Sequence, residues 1–252
     1  WAAPVTERMI ALAAIREGSR VLDIACGAGE PALTVAEKVG PKGSVLATDF
    51  VEEMVGFARS KAKAHALSNI EFRCVDGEVI DAPAGSFDAV TMRWGLMFMP
   101  DPVACMRRVN AALRPGGKAV VCCWTEAANN PFITVPLGVL KRHMVVPEPP
   151  AGAPGIFALA SPDRLHAIFA EAGFHDVAIE QVTIPMADFP TGAEYDVFIR
   201  ELAGPVASLF VQLPADVQAC VKKEIARDAE MHSSKPGRVY LQGITHVVVG
   251  TK

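Results

Sequence analysis

The chain has 252 residues, 51% of them hydrophobic and 21% charged, and carries a formal net charge of −4. That length supports a large single core. The acidic balance, with no basic run, argues against a nucleic-acid partner, and no apolar stretch of ~18 residues is present to cross a membrane.

Residues 4–17 predict a helix with Ile10, Leu12 and Ile15 on its apolar side and Gly18 as its stop. A strand is expected over about 20–25 and a helix over about 30–39, closed by Gly40-Pro41-Lys42-Gly43. A second strand, 44–49, ends in an acid. The helix after it, about 52–66, repeats Met54, Ala58 and Ala62 every four residues. Strand three covers 70–75 and leads into Asp76-Gly77-Glu78, and strand four covers 87–92. A helix over 102–113 then meets Arg114-Pro115-Gly116-Gly117, and strand five follows over 118–123. Strands alternating with helices at this spacing predict βαβ units, a parallel sheet and right-handed crossovers.

The pattern changes after strand five. Residues 126–160 hold one short helix, 133–145, and a proline-rich stretch, 147–154, that reads as extended and exposed. Ser161-Pro162-Asp163 starts a strong helix running to Ala172, with Ser161 as N-cap and Gly173 as stop. A strand over 176–184, two helices within 191–231 split near Leu213-Pro214, and a last strand over 239–249 complete the chain. The six cysteines, Cys26, Cys74, Cys105, Cys122, Cys123 and Cys220, have neither zinc-site nor disulfide-framework spacing. They read as buried, reduced thiols of a cytoplasmic protein. No secretory leader is read, although the chain opens on Trp1 rather than a methionine.

The stretch Val21-Leu22-Asp23-Ile24-Ala25-Cys26-Gly27-Ala28-Gly29-Glu30-Pro31 reads as a strand breaking into a tight loop at a helix start. Such a loop lets a ligand approach the backbone, with free N–H groups facing it. Gly27-x-Gly29-x-x-Ala32, with Asp49 twenty residues after Gly29, satisfies a dinucleotide fingerprint. Asp49, Asp76 and the Arg93-Trp94 segment all follow predicted strands, so they should gather with this loop on one rim.

Taken together, these motifs resemble the class I S-adenosylmethionine-dependent methyltransferases over roughly residues 20–125. The first motif is similar to that family's acid followed by a Gly-x-Gly loop, with Ala25 where many members carry a third glycine. The resemblance implies that Asp23 serves the methionine ammonium and that the backbone of Ala25, Cys26, Gly27 and Gly29 packs against methionine and ribose. It further implies that Asp49 takes the ribose hydroxyls, that Phe50 and Met54 flank sugar and adenine, and that Asp76 accepts from the adenine amino group beside Gly77. Arg93 and Trp94 would face the methionine end, while Trp94, Met97 and Phe98 would face the substrate. The strings Ala-Cys-Gly-x-Gly-Glu-Pro-Ala-Leu and Arg-x-Gly-Leu-Met-Phe-x-Pro-Asp-Pro look most like the branch of ubiquinone/menaquinone C-methyltransferases and small-molecule methyltransferases.

The implied fold is α/β: a Rossmann-like seven-stranded sheet, mostly parallel with one late antiparallel strand, helices on both faces and a helical cover over the active site. One domain, 1–252, is expected, with its cofactor-binding core at 18–125 and substrate-covering insertions at 126–160 and 188–237. The implied reaction is metal-free, in-line methyl transfer to a small, aromatic or quinol-like acceptor, and association as a homodimer stays open. Plainer readings stand beside each site. Asp23 caps a turn, Asp49 and Asp76 are solvated strand ends, and Trp94, Met97 and Phe98 are core. His143, His232 and His246 are structural unless one of them is a general base, and Arg93 either pairs with a carboxylate of the fold or orients an anionic substrate. Two other functions remain open at this level: a nicotinamide-dependent oxidoreductase, and an S-adenosylmethionine-binding cyclase or regulatory protein without methylation.

Overall fold

The computed structural model describes residues 2–147, 150 and 152–252. Its elements are α1 (Ala3–Leu12), β1 (Arg20–Ile24), α2 (Ala32–Val39), β2 (Ser44–Asp49), α3 (Glu52–Ala64), β3 (Ile70–Cys74), β4 (Phe87–Arg93), α4 (Pro102–Ala112), β5 (Leu113–Trp124), α5 (Pro131–His143), α6 (Pro162–Glu171), β6 (His175–Phe189), α7 (Gly192–Leu202), α8 (Gly204–Phe210), α9 (Ala215–Met231) and β7 (Val239–Thr251). Single helical turns sit at Leu96–Phe98 and Ala127–Asn129. The strands form one seven-stranded sheet in the order β3-β2-β1-β4-β5-β7-β6. β1 pairs in parallel with β2 and β4, β2 with β3, and β4 with β5. β7 runs against β5: Thr125 N–H bonds to the Ile244 carbonyl, while Gly116 and Gly117 exchange bonds with Lys252. The mixed α/β sheet with one late antiparallel strand is therefore as the family resemblance implied.

The chain divides into two compact units. The larger comprises Ala3–Cys123, Gly152–Val182 and Thr245–Lys252. Its central strand β1 buries Val21, Leu22, Asp23 and Ile24 in succession, the signature of a strand covered on both faces. Cys122 and Cys123 are both fully buried for the same reason. Asp101 caps α4 by accepting from Ala104 N–H at 2.9 Å, and Ser161 caps α6 as read from the sequence. The register aligns Ile24 with Thr48, Asp49 with Cys74 and Asp23 with Thr91. The carboxyl ends of β1 to β4 therefore form one rim.

The smaller unit is mainly helical and draws on Trp124–Ala151 and Thr183–Ile244. Its core holds Tyr195, Ile199, Val221 and Ile225, all fully buried. Tyr195 donates its hydroxyl to the Phe132 carbonyl, and Trp124 packs on Phe132 at 4.9 Å between ring centroids. α7 lies so close to α9 that a Cβ on Gly192 would meet the Ala226 carbonyl oxygen at 2.2 Å.

Several elements differ from the sequence expectation. α1 stops at Leu12, because Ala14 takes φ +53° and the Ile15 N–H reaches back to the Ile10 carbonyl, a Schellman-type stop built on alanine. α3 turns Val55, Ala58 and Ala62 inward, and Met54 stays 42% exposed. β5 begins at Leu113, before the Arg-Pro-Gly-Gly turn: Phe87 pairs with Leu113 and Ala89 with Lys118, so the turn is a bulge inside the strand. The helix expected over 133–145 occupies Pro131–His143. The 191–231 region holds three helices, since the chain also breaks at Ala203-Gly204. β6 and β7 are longer than expected. Part of the proline-rich stretch, residues 148, 149 and 151, lies outside the described residues. All six cysteines are free, but Cys74 and Cys220 are exposed rather than buried.

Candidate functional site

β1 delivers its chain into the glycine loop through a left-handed residue, Ala25, at φ +57°. An alanine there costs about 1–2 kcal/mol. Its Cβ also fixes the residue opposite it: a Cβ on Gly95 would come within 2.5 Å of the Ala25 Cβ. Asp49, at the end of β2, holds the loop. Its Oδ2 accepts from Gly27 N–H at 2.9 Å and its Oδ1 from Val51 N–H at 3.0 Å. One carboxylate thus pins both the loop and the entry to α3. Each oxygen keeps a second lone pair for a ligand hydroxyl.

Beside this loop is a cavity of about 500 Å³. Of the site residues expected above, Ala25, Asp49, Phe50, Asp76, Gly77, Trp94 and Phe98 line it. Val75, Glu78, Gly95, Met99 and Pro100 line it too and were not read from the sequence. The Gly77–Met99 approach explains the last pair, since a Cβ on Gly77 would meet Met99 Cε at 2.7 Å. Met97 does not line the cavity; it is 2% exposed, because the helical turn at Leu96–Phe98 swings successive side chains apart and sends Phe98 outward. Met54 and the side chain of Cys26 also lie off the lining, Met54 on the solvent side of α3 and Cys26 in the core. Gly27 and Gly29 shape the loop with φ +52° and +113°.

Asp23 lies behind this rim with no exposed surface. Oδ1 accepts from the Thr91 hydroxyl, and Oδ2 is buried without a hydrogen-bond partner. Burial raises its pKa to about 7, against the hydrogen bond from Thr91 and the charge of Arg93. Arg93 is held by the Thr6 hydroxyl at 2.6 Å and the Glu30 carbonyl at 3.1 Å, and stacks 5.0 Å from the Trp94 ring. Trp94 itself is left-handed, at φ +60°, an outlier for so bulky a residue. Its indole N–H donates to Thr245 Oγ1 at 3.1 Å, and Thr245 donates in turn to the Cys123 carbonyl at 2.8 Å.

No histidine is among the residues lining the cavity. His246 is buried against the Ala160 carbonyl, 2.8 Å from Nε2, in the larger unit. His143 pairs with Glu224 and His232 with the Asp228 carbonyl in the smaller one.

The buried acid predicts a pH signature. Below about pH 4 both folded and unfolded chains hold the Asp23 proton. Between about 4 and the folded value of about 7 only the folded chain does, so this group's contribution to stability falls as pH rises and is flat above. The full loss is at most about 4 kcal/mol, from ~1.4 kcal/mol per unit. Asp23→Asn removes this slope. Its melting temperature relative to wild type is expected to climb between pH 5 and pH 8; a constant difference would contradict the assigned burial.

The sheet order excludes the all-parallel dinucleotide arrangement. The cavity lining offers carboxylates and no lysine, arginine or histidine, so it suits a cofactor without phosphate. The orphaned oxygen of Asp23 stands ready for a cationic group or a bridging water. Fold and rim together define the class I S-adenosylmethionine-dependent methyltransferases. The family model for the ubiE/COQ5 methyltransferase family matches residues 3–147. The demethylmenaquinone methyltransferase of Lactococcus lactis is 37% identical over 132 residues, 52% of this chain and 50% of that one. That of Geobacillus kaustophilus is 30% identical over 208 residues, 76% of this chain and 84% of that one. A putative methyltransferase of Bacillus halodurans shares the fold at a TM-score of 0.62, with 18% identity and 98% of both chains covered. The chain belongs to the ubiE/COQ5 methyltransferase family. The match spans about half the length of the Lactococcus relative.

Proposed function

We propose that this chain transfers the methyl group of S-adenosylmethionine to a small aromatic or quinol-like acceptor. The observation that carries the reading is the wall of the cavity, where Trp94, Phe98 and Met99 face a rim of carboxylates. An uncharged aromatic acceptor fits against such side chains by stacking and apolar contact. The names of the two demethylmenaquinone methyltransferase relatives support a quinol ring.

When bound, the cofactor supplies a methyl carbon already activated by its sulfonium. The protein then has to align donor and acceptor and exclude water. In this reading Asp23 would serve the ammonium through a bridging water at its unpartnered oxygen, Asp49 would accept from the ribose hydroxyls, and Asp76 would accept from the adenine amino group. Trp94 is held by Thr245, so the acceptor meets a fixed wall. No residue is assigned as general base. A covering role for residues 126–160 and 188–237 is kept as part of this proposal. A reducing, cytoplasmic setting is part of the same proposal, supported by the six free thiols. Among the described residues no helix is long and apolar enough to cross a membrane.

The test is turnover. With methyl-labelled donor and a panel of reduced demethylmenaquinone, simple phenols and amines, label is expected in the quinol or phenol products, with one S-adenosylhomocysteine formed per methyl transferred. Label confined to amines would overturn the acceptor class. Tight binding of S-adenosylhomocysteine without turnover of any acceptor would favour the non-methylating reading.

A further inference from the structure

We propose that His143, Cys220 and Glu224 form a binding site for a thiophilic divalent cation such as Zn²⁺ within the helical unit. Cys220 and Glu224 are one helical turn apart on α9 and share a face. His143 is the last residue of α5. His143 Nε2 lies 2.9 Å from Glu224 Oε1, and Cys220 Sγ lies 3.4 Å from the same oxygen. The three ligand atoms all lie within 4.8 Å of one another. A single carboxylate oxygen thus has an imidazole nitrogen and a thiol converging on it.

Thiolate, imidazole and carboxylate are the ligand types of zinc, with bonds of about 2.0–2.3 Å. Tetrahedral geometry with those bonds separates ligand atoms by about 3.3–3.6 Å. The present spacing reaches that by opening the His143–Glu224 contact slightly and drawing Cys220 toward His143. On binding, the thiol proton leaves to solvent, and neutral His143 carries its proton on Nδ1 so that Nε2 donates its lone pair to the metal. Thiolate and carboxylate then balance the charge of the ion. The other Glu224 oxygen is already fixed: Arg142 donates to Oε2 at 2.7 Å from Nη2 and 3.1 Å from Nε, and also reaches Asp228 Oδ2 at 2.7 Å. That outer contact turns Oε1 toward the cluster. Cys220 is exposed, so a water has access to the fourth position. The bound ion would tie α5 to α9, and it is given no part in methyl transfer.

The experiment uses the whole chain stripped of metal with a chelator and titrated with Co²⁺. One equivalent is expected to produce a thiolate-to-cobalt absorption band in the near ultraviolet and tetrahedral bands in the visible. Cys220→Ser, at an exposed position and checked for folding by circular dichroism, should lose the near-ultraviolet band and weaken binding by at least about 100-fold, the upper end for losing even an outer-shell partner. Cys74→Ser, which removes the other exposed thiol, should leave the titration unchanged. Zn²⁺ should compete with Co²⁺ at one equivalent and raise the melting temperature. Absence of the thiolate band in the unaltered chain, or its persistence in Cys220→Ser, overturns the proposal.

Discussion

Asp49→Ala is expected to weaken S-adenosylhomocysteine binding by about 100-fold or more, measured by isothermal titration. Asp49 is only 8% exposed, and its carboxylate accepts from the N–H groups of Gly27 and Val51. Hydrogen bonds to a charged group contribute about 1.5–3 kcal/mol each. The alanine variant leaves both donors unmatched, loosens the glycine loop and the entry to α3 together, and withdraws the acceptor proposed for the ribose. Asp49→Asn keeps one acceptor oxygen but turns an amide toward an N–H donor, so an intermediate loss is expected. An affinity within tenfold of wild type for the alanine variant, in protein shown to be folded, would remove Asp49 from the cofactor site.

The second large effect concerns stability. Gly192→Ala would set a Cβ at 2.2 Å from the Ala226 carbonyl oxygen, 2.6 Å from its carbon and 2.7 Å from its Cα. These are backbone atoms of α9, so relief requires α7 to move off its neighbour. Such overpacking costs about 3 kcal/mol, and at this chain length that lowers the melting temperature by roughly 10 °C. Gly138, inside α5, supplies the contrast, since nothing lies within 4 Å of where its Cβ would stand. Gly138→Ala should stabilise by about 0.5–1 kcal/mol through helix propensity. If both variants melted alike, the close approach of α7 to α9 would be wrong.

The order of strands and helices through β5 was legible because buried parallel strands are near-continuous apolar runs bounded by glycine, proline and acids. The rim followed from topology: Asp49, Asp76 and Trp94 line one cavity although they are scattered along the sequence. Periodicity failed where local geometry overrode it. Alanine at position 14 gives no sequence sign that it will end α1, whereas a glycine would have. Met97 and Phe98 are adjacent and both apolar, so only the helical turn decides which one is buried. Cys220 looked like a core residue by type, yet its place on α9 is exposed. The hold of Asp49 on the Gly27 N–H is a contact between segments 22 residues apart, which spacing alone does not reveal.

The place of β7 in the sheet bears on how the chain is made. It lies between β5 and β6, yet it is the last of the seven strands to leave the ribosome. Until then the edge of β5 has no partner on that side, and its residues Val120, Val121, Cys122 and Cys123 are all destined for full burial. An unpaired apolar edge of this kind is a template for pairing with other chains. Truncated forms ending before Val239 are therefore expected to expose this seam and to aggregate more readily than the full chain, as light scattering of the two would measure.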